Sequence, residues 1–427
     1  MLSMKIRIFY GWYIVFASLL LTMYYSAIFT YGWTSFVTPI LATFGWSMTQ
    51  LSLASTLRGL ESGIFNPLFG MAVDRWSPRK LMLFGVIITA TGMFLISKTT
   101  NLVTYYMGFL VMGIGSSLVT SMIPTATIAR WFRKDVGKAN GLFYVGTGLG
   151  GVLVFLVTSM IDRYGWQSVL FYSSIGFLAI GVPLSFIFRR RPEDLGLVPD
   201  GRISGNNLRK SIENTVNVSL SIRQVLKMRV FWYLNVVILF QSAVLGIVSL
   251  YAMPYLENIG FSRANASLVV TIFTIISVCA RMPVGMLADI FQKKYVIALT
   301  IALLGTGLFL FWVITAGSPF WLIVLFAACY GIGISGIMPL RMPFMVEYFG
   351  SRKIGTIFGL TSIFSTLAGV TAVPLVGLYF DHYHTYKPIW LFLVCFAMVA
   401  SLLMLAMPQP AARKQGVQAE NKSRAIS

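Results

Sequence analysis

Twelve unbroken apolar runs leave this chain few ways to fold. They occupy roughly 12–40, 48–73, 80–98, 102–128, 138–160 and 166–188, then, after a polar gap, 230–257, 264–288, 295–315, 319–345, 354–379 and 387–407. Most are about 20 residues or longer, the length a helix needs to cross the hydrocarbon of a bilayer. A barrel would instead show alternating segments of about 10 residues. Composition agrees: 57% of residues are apolar and 11% charged, against about 25% charged in globular domains. The expected fold class is an all-α membrane protein of twelve transmembrane helices in two pseudo-symmetric six-helix bundles. Its parts are 1–188 and 230–410, joined by a linker at 189–229 and followed by a tail at 411–427.

The two halves echo each other. Gly70, Asp74, Arg75, Arg79 and Lys80 form a charged turn between runs two and three, and Gly285, Asp289, Lys293 and Lys294 repeat it between runs eight and nine. Trp131 and Phe132 precede Ala139 to Leu142 in the first half, as Tyr348 and Phe349 precede Ile357 to Leu360 in the second. A duplicated bundle can rock about a site held between its halves, as many secondary transporters do.

The formal charge of +20 reads as an address and not as a nucleic-acid surface. If the N-terminus is cytoplasmic, one side collects most cations, among them Arg79, Arg130, the Arg189 to Arg191 run, Arg209, Lys293, Arg341 and Lys414. The other side has Lys98, Arg163, Arg263 and Lys387. This bias places both termini and the linker in the cytoplasm and the chain in the cell inner membrane. The first apolar run is too long for a signal peptide and reads as an uncleaved span. Cys279, Cys329 and Cys395 lie in apolar runs without disulfide or metal spacing and read as packing residues. A short amphipathic helix is expected near Ser221 to Met228, and the tail from Ala411 reads as disordered.

The Gly70 to Lys80 turn and its weaker copy resemble the major facilitator superfamily over nearly the whole chain. Within it, Tyr10 to Val15 resembles the first-span signature of monocarboxylate transporters, and Trp131 to Lys134 followed by Gly137 to Gly141 resembles their segment entering span five. Ala280, Arg281, Pro283 and Gly285 resemble a span-eight segment shared with bacterial oxalate/formate antiporters. The resemblance implies that Asp74, Arg75, Arg79 and Asp289, with Gly70, act as a hinge holding the halves together. Two positions depart from it. Ser277 stands where animal monocarboxylate transporters carry an Asp, and Ile354 to Gly377 holds no Lys or Arg where oxalate-type antiporters have a Lys.

Arg281 lies eight residues before Asp289, about 12 Å into the membrane at ~1.5 Å per residue. Arginine at such depth faces the bundle interior with a partner, and its planar fork suits a carboxylate. The alternative is a structural Arg satisfied by backbone carbonyls. Arg58 and Glu61 share a helix face, as a self-neutralising pair or as a gate or proton site. Glu257 closes span seven as a second proton-linked candidate or a solvated helix end. Further candidates for substrate contact are Tyr31, Ser117, Tyr144, Tyr330 and Ser365, with aromatic packing the plain alternative for the tyrosines. His382 and His384 read as loop residues, and no metal site, phosphate loop or cofactor motif is present.

The expected function is secondary transport of a small carboxylate, most simply a monocarboxylate such as lactate or pyruvate, by proton symport and alternating access. The reason is that one midplane cation matches one carboxylate. Exchange of the oxalate/formate type and export of drugs or metabolites are the alternatives. An enzyme lacks any nucleophile, acid/base pair or metal constellation, and a sensor would need a larger cytoplasmic domain than the linker provides. The expected partners are the carboxylate, a proton or counter-anion, and the lipid bilayer, with the chain monomeric.

Overall fold

The structure, a computed structural model, describes residues 9–46, 48–201, 221–315, 317–350 and 353–408. The side chains of Arg58 and Arg263, most of the linker and the tail expected to be disordered lie outside what is described.

Long helices follow one another along the chain. They are α1 (Tyr10–Phe44), α2 (Met48–Arg75), α3 (Pro78–Ser97), α4 (Leu102–Trp131), α5 (Val136–Tyr164), α6 (Trp166–Ser185), α7 (Arg229–Asn258), α8 (Arg263–Ile290), α9 (Lys293–Val313), α10 (Phe320–Phe349), α11 (Ile354–Tyr383) and α12 (Lys387–Leu405). Eleven of them are long and apolar enough to cross a membrane. The other, α2, has 28 residues, or about 42 Å at ~1.5 Å per residue, so length is not its limit. Its polar content is: Gln50, Arg58, Glu61, Ser62 and Asn66 dilute the apolar run.

Small residues set the packing, as in membranes generally, where close backbone approach replaces the hydrophobic drive between helices. In the first half α3 packs against α4 and α6, and in the second α9 packs against α10 and α12. A Cβ on Gly92 would stand 2.4 Å from the Met112 nitrogen, and one on Gly333 would stand 2.4 Å from the Leu304 nitrogen. The sequence echoes become contacts. Trp131 Nε1 donates to the Arg189 carbonyl just past α6 at 3.0 Å, and the Tyr348 hydroxyl to the Pro408 carbonyl just past α12 at 2.9 Å. Phe132 packs on Phe9 and Trp12 before and within α1, as Phe349 packs on Phe231 at the start of α7.

Four of the described helices are locally broken, α5 at Leu153 among them. π-turns interrupt α1 at Ser26–Thr30 and α4 at Leu118–Met122, and α10 bends at Gly336. Such turns cluster at functional sites. The bundle's outer surface is apolar, with Phe16, Ile64, Val103, Phe155, Phe392 and Leu402 exposed. Trp76 and Trp232 are exposed towards one end, and Tyr164, Trp321 and Tyr383 towards the other, as membrane interfaces favour. Cys279 and Cys395 are exposed on this surface and Cys329 is half-buried, so the packing role expected of them does not hold for the first two. A lipid-facing surface accepts small apolar residues as readily as a core does. The short linker helix falls at Ile222–Lys227, opened by a reciprocal cap between Ser221 and Gln224.

Candidate functional site

Two carboxylates clasp the halves at one end of the bundle. Asp74, at the end of α2, accepts from the Gly355 and Thr356 amides at 3.0 and 2.9 Å and from the Thr356 hydroxyl at 2.9 Å, all at the start of α11. Asp289, at the end of α8, accepts from the Gly137 and Lys138 amides at the start of α5, both at 2.7 Å. Each carboxylate therefore binds the N-terminus of a helix in the opposite half, where unpaired amides and the helix dipole favour negative charge. Glycines permit the approach. A Cβ on Gly70 would stand 2.1 Å from the Gly355 carbonyl, and one on Gly285 would stand 2.2 Å from that of Gly137. The Asp74 clasp is further anchored in its own half: Arg130 pairs with its carboxylate at 3.2 Å, and Arg190 donates to its carbonyl at 2.9 Å. Of the other expected hinge residues, Arg75 is exposed and Arg79 lies 4.2 Å over the Phe186 ring in its own half.

Beyond the clasps, a cavity of about 600 Å³ lies between the halves. α2 and α4 contribute Asn66 and Ser121. α7, α10 and α11 contribute the rest, including Gln241, Ser242, Met338, Arg341, Ser362, Ser365 and Thr366. Arg341 is the one charged residue among the described lining. The sequence grouped it with the loop cations, but it sits eight residues inside the end of α10, about 12 Å at ~1.5 Å per residue. Its guanidinium lies 4.4 Å over the Phe358 ring and donates to Thr361 Oγ1. The Phe358 carbonyl and the hydroxyls of Ser362 and Ser365 all stand at 3.5 Å. These three lie beyond the ordinary N–H···O range of about 2.7–3.2 Å. Its Nε is buried with no hydrogen-bond partner among the described residues.

A smaller chamber of about 180 Å³ adjoins the first at Asn66, Ser121 and Phe358, which line both, and adds Ser116, Ser117, Thr120 and Met122. The α4 π-turn, Leu118–Met122, forms one wall of it. Tyr144 of α5 hydrogen-bonds Ser121 through its side chain and lies within electrostatic reach of both Arg341 and Arg281.

Arg281 meets a backbone carbonyl, one of the two alternatives the sequence left open. It does not line either chamber; its Nη1 donates to the Tyr144 carbonyl at 2.6 Å, across the seam between α8 and α5. A Cβ on Gly141, one turn earlier in α5, would stand 2.7 Å from the Arg281 carbonyl. Ser117 and Ser365 are brought to the chambers, and Tyr144 to their edge. Tyr330 is buried in an aromatic cluster, its ring 4.9 Å from Phe273 and 5.9 Å from Phe326. Tyr31 packs against Gly151, 3.3 Å from where a Cβ would stand. Ser277 and Glu61 are buried at 8% and 4% exposure, and Glu257 is exposed at the end of α7. Sequence reasoning passed over Arg341, Asn66, Gln241, Ser242 and Ser362. One signal for the first was available: no other charge occurs between Lys294 and Glu347.

A helical membrane bundle clasped at one end, with a polar cavity between two similar halves, defines a membrane transporter. Residues 14–262 and 246–426 match the family model of the Major Facilitator Superfamily, and the chain belongs to it. Monocarboxylate transporter 13 of Bos taurus is 23% identical over 406 residues, 93% of this chain and 89% of that protein. Monocarboxylate transporter 2 of Mus musculus is 21% identical, over 90% of this chain and 80% of that one. An agnestins efflux protein of Paecilomyces divaricatus is 24% identical, over 72% and 66%. Among solved structures, the proton:xylose symporter XylE superposes with a TM-score of 0.73 at 16% identity, over 96% of this chain and 99% of that one, a likeness of fold.

Proposed function

We propose that the chain carries a small organic anion, a monocarboxylate, across the cytoplasmic membrane by alternating access, with protons as the driving ion. The observation that carries this reading is Arg341, the sole charge among the described residues lining the cavity, held by the Thr361 hydroxyl and three distant neutral oxygens, with no carboxylate among them. A buried guanidinium without a carboxylate is costly. A substrate carboxylate making two bonds near ~2.8 Å replaces weak contacts with strong ones, and the α11 hydroxyls orient it. Two relatives bear the name of monocarboxylate transporters, which agrees.

In this reading the halves 1–188 and 230–410 rock as units, with termini and linker cytoplasmic. The clasps then close the cytoplasmic side. Arg281, bonded across the α5–α8 seam, couples substrate occupancy to movement of the halves. Glu61, buried in α2, carries the coupled proton. Export of larger amphipathic acids is the second reading. It is favoured by the apolar wall of Ile238, Ile337, Val370, Val373 and Pro374 and by the efflux protein among the relatives.

Uptake of labelled carboxylates into proteoliposomes tests the proposal. Arg341→Gln should lower uptake about 100-fold or more, the scale of ~3–5 kcal/mol for a broken buried ion pair. Unchanged uptake in that variant removes the anion site.

A further inference from the structure

The smaller chamber has a chemistry of its own. Its described lining has no charged side chain and is mostly hydroxyl or amide: Asn66, Ser116, Ser117, Thr120 and Ser121, with Met122 and Phe358. Two of the hydroxyls have committed their protons to their own helix. Ser116 Oγ donates to the Gly113 carbonyl at 3.1 Å, and Thr120 Oγ1 to the Ser116 carbonyl at 2.8 Å. What these oxygens offer an occupant is acceptor lone pairs. At Ser116 and Thr120 the pocket welcomes a hydrogen-bond donor, and with no cation in its described lining it disfavours a second carboxylate.

The chamber adjoins the Arg341 cavity at Asn66, Ser121 and Phe358, which line both. Its volume of about 180 Å³ would admit several waters at ~30 Å³ each, and so a small functional group. The wall of the larger cavity is otherwise largely apolar, with Ile238, Ile337, Met338 and Val370.

We infer that the substrate is bifunctional: one carboxylate at Arg341, an apolar body, and a neutral hydrogen-bond donor, a hydroxyl or an amide N–H, seated in the α4 chamber. This deepens the proposed function and rests on it. A single charge in the combined described lining sets the substrate's charge at minus one, and the α4 hydroxyls set the identity of its other end. Thr120 and Ser116 are then specificity-determining residues for the donor.

Thermal stabilisation of the purified full chain by matched acids tests this. Butanoate, hexanoate and octanoate are each compared with their ω-hydroxy and dicarboxylate counterparts. At one chain length the hydroxy acid should half-saturate at roughly five- to tenfold lower concentration than the plain acid, the scale of one neutral hydrogen bond, and the diacid should be weakest. Thr120→Val should bring the ratio of hydroxy to plain acid to about one, and Thr120→Ser, which keeps the hydroxyl, should preserve it. Equal binding of plain and hydroxy acids at all three lengths, or preference for a diacid, overturns the inference while leaving the carboxylate site at Arg341 standing. Stabilisation by none of the acids removes that carboxylate site, and the inference with it.

Discussion

Arg341 and Arg281 lie equally deep, each eight residues from its helix end or turn aspartate, yet their surroundings differ. Arg281 has a short bond of 2.6 Å to a backbone carbonyl on the facing half. Arg341 faces the cavity, donating to Thr361 Oγ1 and otherwise meeting oxygens at 3.5 Å. A guanidinium that faces a cavity can turn its remaining N–H groups to a ligand, whereas one bonded across a seam outside the cavity meets none. Depth in the membrane therefore does not distinguish a binding arginine from a positioning one; what each faces does.

The largest expected effect separates them. Arg341→Gln should abolish uptake through lost affinity, and Arg341→Lys should recover little, because a point charge cannot reproduce the two-pronged contact. Arg281→Gln should instead lower maximal rate about tenfold with KM little changed, since it loosens a seam and not a substrate contact. Concentration-dependent uptake rates check both, and a raised KM in the Arg281 variant would blur the distinction.

The same comparison applies to the two clasps. Asp74 holds three donors from α11 and an ion pair in its own half, whereas Asp289 holds two amides. Asp74→Asn should shift the balance away from the clasped state roughly 30-fold, or ~2 kcal/mol, and Asp289→Asn about threefold less. The readout is thiol labelling of Ser362→Cys, buried at 5% in the cavity beyond the clasps, on a background lacking Cys279, Cys329 and Cys395. Equal labelling in both variants would mean that the extra anchoring at Asp74 does not matter.

A smaller effect concerns the carboxylates. Uptake should rise as external pH falls, since protons then move inward with the substrate. Glu61→Gln should flatten that rise by a few-fold, and Glu257→Gln hardly at all, because Glu61 is buried at 4% exposure and Glu257 is exposed. Uptake that ignores the proton gradient but requires a loaded anion on the far side would make the chain an exchanger.

The fold was legible because lipid forces each span to be a long apolar helix, and duplication printed the same turn twice. The clasps were legible in part. Gly70, Asp74 and Asp289 meet the opposite half as the repeated turns imply, but Arg75 and Arg79 are spent on the surface and on Phe186. The cavity was hardest to read. Hydroxyls such as Ser362 and Thr366 look like any polar residue on a mostly apolar helix, and the π-turn that frames the smaller chamber leaves no periodic trace. Arg341 was hidden by its distance from the loop, close enough to be grouped with the surface cations although no other charge lies nearby in α10 before Glu347.

Direct binding of a labelled monocarboxylate to the purified chain tests the assignment of the two arginines most plainly. Binding should be lost in Arg341→Gln and kept within about threefold in Arg281→Gln, whose seam contact lies outside the cavity. Retained binding in the first variant and lost binding in the second would place the substrate at Arg281 and contradict the account.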